Sequence, residues 1–459
     1  MSTADNKRTL EDFAVKGLHL GKMTGVLMGA HAISDCFLLM HSGVGCKYKT
    51  AAQAAEHDLG EHPNVREAWT QVSEAHLVAG CSDRIGPFAR AWWERRRSGF
   101  MVVVSAYFLE LTGDDVRSAV EEVERTLPDC EMAYIDTMAP NHAFFDGYAA
   151  VILEAMKRMD WSGAPTKDRQ ATIIGHFFHR YENDTKADLA QLRGLVKAAG
   201  LEPGPILLSG VDYAELKTAP TSKFIVELPY TRPHDRKIRR LCKRRELVSA
   251  DLPMGLAGTQ RFVRTLATAA GSDLAKVEAW LKAQTEATQF SLQRFTESLR
   301  KVSVAVFADT PHAAGLVTLL LELGMDVPLV GLRDQAGCLG GRTAFLETLA
   351  KNGHSELERM EVLQDPSLRR MQARVSDLCS DGLNGVIGSS HELDYLKHAA
   401  QDSPGARDLI LIETGFPSNT FHAVYQVPTF GFAGAAAWAH RLREAFAQPR
   451  IGRDGLWMS

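Results

Sequence analysis

Met40-His41-Ser42-Gly43-Val44-Gly45-Cys46-Lys47-Tyr48-Lys49 is the stretch from which the chain is best read. It follows the apolar run Cys36-Phe37-Leu38-Leu39 and closes in a Gly-x-Gly turn, which places the Cys46 thiol at the carboxyl edge of a buried strand or helix. A thiol there suits a metal ligand. Two glycines let the backbone come close to a bulky inorganic group, and amide N–H groups in the turn can hydrogen-bond its sulfides. The plainer alternative is a buried cysteine packed as a small hydrophobe beside a glycine turn.

Outward from that turn, short β-rich runs alternate with amphipathic helices. Strands are expected at 100–105, 132–136, 171–178, 205–209, 224–228, 302–307, 327–332, 385–388 and 409–413, and helices at 115–126, 145–158, 186–199, 259–269 and 312–323. This order predicts an α/β fold of parallel sheets with helices on both faces, and ligands outside the carboxyl ends of the strands. The polar linker Asp160-Trp161-Ser162-Gly163-Ala164-Pro165 and the strandless stretch Ser272 to Arg300 divide the chain into three Rossmann-like domains. They are an N-terminal domain at 1–165 with the Cys46 loop, a second at 166–300 that includes a connecting helix, and a third at 301–459.

Composition narrows the function classes. The 459 residues are 45% hydrophobic with a formal net charge of −4, so no global basic field points to nucleic acid or an anionic membrane. The first residues carry no apolar leader, and no apolar run approaches the ~20 residues that span a bilayer, which predicts a cytoplasmic protein. Cysteines stand at 36, 46, 81, 130, 242, 338 and 379, an odd and scattered set that argues for reduced thiols. None forms a Cys-x-x-Cys pair, so a cluster bound here needs ligands from elsewhere. Gly337-Cys338-Leu339-Gly340-Gly341 lacks the lysine and hydroxyl of a phosphate loop, so ATP hydrolysis is not expected of this chain. The basic run Arg232 to Arg245 suits an oxyanion or an acidic partner, or else a solvated helix face.

From the Cys46 turn onward the sequence resembles the nitrogenase component 1 superfamily. The resemblance is carried by Gly25-Val26-Leu27-Met28-Gly29-Ala30 leading into His41-Ser-Gly-Val-Gly-Cys46, by Gly80, and by Val102-Val103-Val104-Ser105 with Leu111-Thr112-Gly113-Asp114-Asp115. It continues through His142-Ala-Phe-Phe-Asp146-Gly147-Tyr148, Pro253-Met254-Gly255-Leu256, Gly415-Phe416-Pro417 and Gly431-Phe432-Ala433-Gly434. The superfamily takes in nitrogenase component 1, its cofactor-assembly scaffold, the protochlorophyllide and chlorophyllide reductases, and methylthio-alkane reductase.

Catalytic members bring cysteines to an interface iron–sulfur cluster from three places in each subunit. Here the upstream place falls in Leu18 to Met23 and the downstream one in Ser105 to Glu110, and neither holds a cysteine. The resemblance therefore implies a β-type chain that gives one ligand, Cys46, to a cluster completed by an α-type partner in an α2β2 assembly. Cys36 and Cys81 are alternative ligands, and Ser105 and Tyr107 stand where a ligand cysteine would be. A larger iron–sulfur cofactor is implied only for the partner, and ATP only for a separate homodimeric [4Fe-4S] reductase. The reaction implied is a reduction, of a thioether C–S bond or a tetrapyrrole. A non-catalytic scaffold for cofactor assembly and a metal-free Rossmann-like binding protein are the alternatives. His41, His142, His176, His179 and His422 are candidate proton relays or structural histidines.

Overall fold

The computed structural model describes residues 20–60, 66–138, 143–355, 359–400 and 409–447. Their strands form three wholly parallel sheets. The first sheet, in the order β2-β1-β3-β4, contains β1 (Phe37–His41), β2 (Glu67–Trp69), β3 (Phe100–Ser105) and β4 (Glu131–Ile135). The second, β6-β5-β7-β8, contains β5 (Lys167–Ile174), β6 (Glu202–Ile206), β7 (Ser222–Glu227) and β8 (Glu246–Ser249). The third, β11-β10-β9-β12-β13, contains β9 (Ser303–Ala308), β10 (Asp326–Leu332), β11 (Glu361–Gln364), β12 (Gly385–Gly388) and β13 (Ile410–Glu413).

Each of the three expected segments holds one sheet. The described chain separates into two compact units: 20–185 with 199–250 carries the first two sheets, and 186–198 with 251–447 carries the third. The connecting stretch is a helix, Leu274–Leu299. No helix among the described residues is long and apolar enough to cross a membrane.

The first sheet shows why these residues make strands. Every residue of β1 and β3 is buried, as a parallel sheet covered on both faces requires. Phe37, Leu39, Met101, Val103 and Met132 pack with Ile85 and Ala89 of α3 (Ile85–Arg96) and with Val116, Val120 and Val123 of α4 (Val116–Glu124); α1 (Lys22–His31) and α2 (Val44–His57) precede these helices in the chain. Alternation turns Leu38, Met40, Val102 and Val104 to the other side. Helices α1 and α5 (Phe144–Lys157) cross with their backbones almost touching. A Cβ on Gly25 would stand 1.8 Å from the Phe144 carbonyl oxygen, and one on Gly147 would stand 2.0 Å from that of Lys22.

The apolar run before Cys46, open to a strand or a helix in the sequence, is the interior strand β1, and three further strands without a sequence signal, β2, β8 and β11, are sheet edges. An edge strand is short, pairs on one side only and tolerates polar residues, so its alternation is weak. The expected strand at 171–178 is also corrected. β5 stops at Ile174, and Gly175, at φ +74, turns the chain because a Cβ there would lie 2.3 Å from the Leu228 carbonyl oxygen. His176 and His179 thus leave the strand, and their facing is not set by its two-residue period.

Candidate functional site at the carboxyl edge of the first sheet

In the order β2-β1-β3-β4 the connections run outward in opposite directions from β1 and β3, so the switch point lies between these two strands. His41 ends β1 and Ser105 ends β3, and the two are paired in register. From His41 the chain passes through Ser42 and Gly43 into α2, and Cys46 is the third residue of that helix. Gly43, at the N-cap, has no side chain to cap the first turn of α2. A Cβ added to Gly45 would meet no described residue within 4 Å.

Three stretches of sequence converge at this point. Val72, Cys81, Ala106 and Leu109 form a small buried cluster, with Met23 and half-buried Cys46 packed against it. Met23 belongs to the upstream stretch and Ala106 and Leu109 to the downstream stretch in which the resemblance looks for cysteines. The rim around them is apolar and exposed: Val44, Tyr48, Leu77, Val78, Tyr107 and Leu111, with Val78 92% and Tyr48 78% accessible.

Beneath Cys46 lies a second group of side chains. Cys81 Sγ is 3.4 Å from His41 Nε2 and donates to Asp114 Oδ2 at 3.0 Å, and the Cys81 amide donates to the same oxygen at 2.7 Å. His41 Nδ1 is 2.9 Å from Thr70 Oγ1, which also accepts the Ser42 amide at 3.2 Å. Burial pulls the His41 imidazole down to about 4 against the opposing charge of Asp114. Burial first, then the bond to Asp114, pushes the Cys81 thiol up to about 12, so it is a neutral donor to the carboxylate.

The structure separates the sequence candidates. Cys46 and Cys81 share one apolar cluster. Cys36 precedes β1 at its amino end, far from the switch point, where its thiol faces the Phe37 carbonyl at 3.7 Å and burial pushes its pKa up. Ser105 Oγ is 2.9 Å from Tyr134 Oη, which donates to Glu110 at 2.5 Å; Tyr107 is half exposed. His179 Nδ1 is 3.1 Å from His57 Nε2, and His422 Nε2 is 3.3 Å from the Asn419 carbonyl. His142 lies outside the described residues. The basic run becomes the short helix Asp235–Leu241 with its flanks; Arg239 is paired with Glu227 at 2.7 Å and Asp235 at 2.6 Å. Sequence reading missed Asp114 and Thr70 as partners of His41 and Cys81. Asp114 stands in the Gly-Asp-Asp segment already singled out, but nothing in its spacing points to Cys81.

Three parallel sheets, with a thiol and glycine turn at the first switch point, define a multi-sheet α/β protein able to hold a ligand at that edge. The profile of the family described as nitrogenase component 1 type oxidoreductase matches residues 22–447, and the chain belongs to this family. Among solved structures it is similar to one titled "Nitrogenase Cp1 at pH 6.5", with a TM-score of 0.77 and 16% identity over 94% of this chain and 92% of that one. A second, "Nitrogenase Cp1 at pH 5", gives a TM-score of 0.67 and 13% identity over 92% of this chain and 87% of that one. At such identities these two likenesses establish the fold. No curated protein matches the chain.

Proposed function

We propose that this chain is the β-type subunit of a nitrogenase-like two-component reductase and that Cys46 is its ligand to an iron–sulfur cluster shared with an α-type subunit. The observation that carries the reading is the convergence at the first switch point. Residues from all three stretches in which the resemblance places ligand cysteines meet there, and only the middle stretch offers a thiol. The donor set fits one ligand of a shared cluster. Cys46 is half buried on the glycine turn that follows β1, and Cys36 lies at the far end of that strand.

Such a cluster supplies one-electron transfer when bound. This chain's part is to place the thiol and control its surroundings. Gly43 and Gly45 allow close approach, the amide groups at the start of α2 donate hydrogen bonds, and the positive end of that helix favours a thiolate ligand. The exposed apolar rim, once covered by the partner, excludes water from the site. In this reading the assembly is α2β2, electrons arrive from a separate ATP-dependent iron–sulfur reductase, and the substrate, a thioether or a tetrapyrrole, is reduced at a site furnished mainly by the α-type chain.

Anaerobic co-purification with the α-type subunit, followed by iron and sulfide analysis and EPR, tests this. Iron that is present in the wild type and lost in Cys46→Ala, with the heteromer intact, is the expected result. A heteromer without iron, or one whose iron survives the substitution, overturns the assignment. Release of a large cluster to an apo-enzyme, without turnover, would move the protein to the assembly-scaffold class.

A further inference from the structure

We propose that His41, Cys81 and Asp114 form a binding site for a divalent transition-metal ion of the zinc class, distinct from the cluster position at Cys46. The donors come from three separate places: the end of β1, the turn before α3 and the turn before α4. One ligand atom from each lies within 4.8 Å of the other two. The Sγ–Nε2 separation is 3.4 Å and the Sγ–Oδ2 separation 3.0 Å. A tetrahedral ion with bonds of roughly 2.0–2.3 Å holds neighbouring donors about 3.3–3.8 Å apart, so small side-chain movements admit one.

The chemistry of the set agrees with its spacing. One sulfur, one imidazole nitrogen and one carboxylate oxygen suit zinc, ferrous iron or cobalt better than magnesium or calcium, which prefer oxygen alone. A thiolate and a carboxylate together cancel the charge of a divalent ion, which matters because His41 and Cys81 are buried. The surrounding groups are also in place. Thr70 Oγ1, which accepts the Ser42 amide, can accept the His41 Nδ1 proton as well, leaving the Nε2 lone pair on the side of Cys81. The Cys81 amide orients Asp114. Gly80, at φ +90, leaves room for the carboxylate, because a Cβ there would stand 3.2 Å from Asp114 Oδ1. Binding exchanges the thiol proton for the metal: the S–H bond breaks, a metal–sulfur bond forms, and one proton leaves to solvent. Three protein ligands leave a fourth position for water.

Cobalt(II) titration of the full-length chain, stripped with chelator and kept anaerobic, is the test. The expected result is a sulfur-to-cobalt charge-transfer band that saturates at one equivalent, with release of one proton and displacement by zinc. Cys81→Ser abolishes the band, Asp114→Asn weakens binding at least about tenfold, and Cys46→Ser leaves both unchanged. A wild-type chain that shows no band at saturating cobalt, or a band that survives Cys81→Ser, reduces the trio to a thiol–carboxylate hydrogen bond and overturns the site. A band lost in Cys46→Ser does so too, by assigning the metal to the cluster ligand. A wild-type chain without a band overturns the site even if a variant fails to fold, a band is assigned by whichever of Cys81→Ser and Cys46→Ser removes it, and the titration requires neither the α-type partner nor iron.

Discussion

At the carboxyl edge of the third sheet the polar groups engage one another. Asp309 caps the helix Thr310–Glu322 by accepting the His312 amide, and Thr414 Oγ1 is 3.3 Å from His312 Nε2. Arg333 reaches Glu392 at 3.0 Å and the Pro366 carbonyl at 2.7 Å. Glu413, at the end of β13, accepts from the Ser418 hydroxyl at 2.6 Å, the Thr420 hydroxyl at 2.5 Å and the Phe421 amide at 3.0 Å. The first sheet also pairs polar groups, His41 with Thr70 and Cys81 with Asp114, but beside them it carries a half-buried thiol on a glycine turn and exposed apolar side chains. Both edges follow the same doubly wound plan. The plan makes a place for a ligand, and the side chains decide whether carboxylates and hydroxyls or a thiol and apolar groups stand there.

The comparison can be broken first at Cys46, where the largest effect is expected. Cys46→Ala should strip nearly all the iron from the heteromer, read by metal analysis and EPR, whereas Arg333→Gln at the third edge should leave iron unchanged. Equal loss in both would mean that the two edges do not differ in function.

Next comes the helix crossing packed on the first sheet. Gly25→Ala forces a methyl group against the Phe144 carbonyl, and we expect destabilisation of about 2–3 kcal/mol, outweighing the ~1 kcal/mol that alanine gains within a helix. A urea midpoint at or above that of the wild type would show that the crossing can relax.

The third edge should show its carboxylate hydrogen bonds in its pH dependence. Burial raises the Glu413 pKa, but hydrogen bonds from Ser418, Thr420 and Phe421 outweigh it and hold the carboxyl at about 2, against an ordinary 4.5. A depressed carboxylate pKa adds stability above the unfolded value, and that stability is lost as pH falls from 4.5 towards 2. Glu413→Gln should therefore cost about 1–2 kcal/mol at pH 7, allowing for solvent screening, with the gap to wild type closing across that window. A gap independent of pH would assign the effect to packing.

The smallest effect on the chain itself is expected at the rim of the first edge. Val78→Ser should shift stability by less than about 0.5 kcal/mol yet reduce recovery of the heteromer. Unchanged assembly would remove Val78 from the partner surface.

The sequence by itself determined the α/β class, the Cys46 turn and the central strands other than β1, whose short apolar run suits a strand or a helix equally; buried parallel strands appear as continuous apolar runs, and a glycine turn beside a cysteine is a local signal. It also carried the family resemblance, which the match over residues 22–447 establishes. The edge strands β2, β8 and β11 were hidden because half-solvated strands need no alternation. The end of β5 was hidden because the Leu228 carbonyl that forces the Gly175 turn is distant in sequence. Only the tertiary structure could bring Cys81 to His41 across 40 positions and to Asp114 across 33, or set Met23, Ala106 and Leu109 around one point. Those meetings follow from the order in which parallel strands lie side by side, and strand order leaves no periodic trace in the chain.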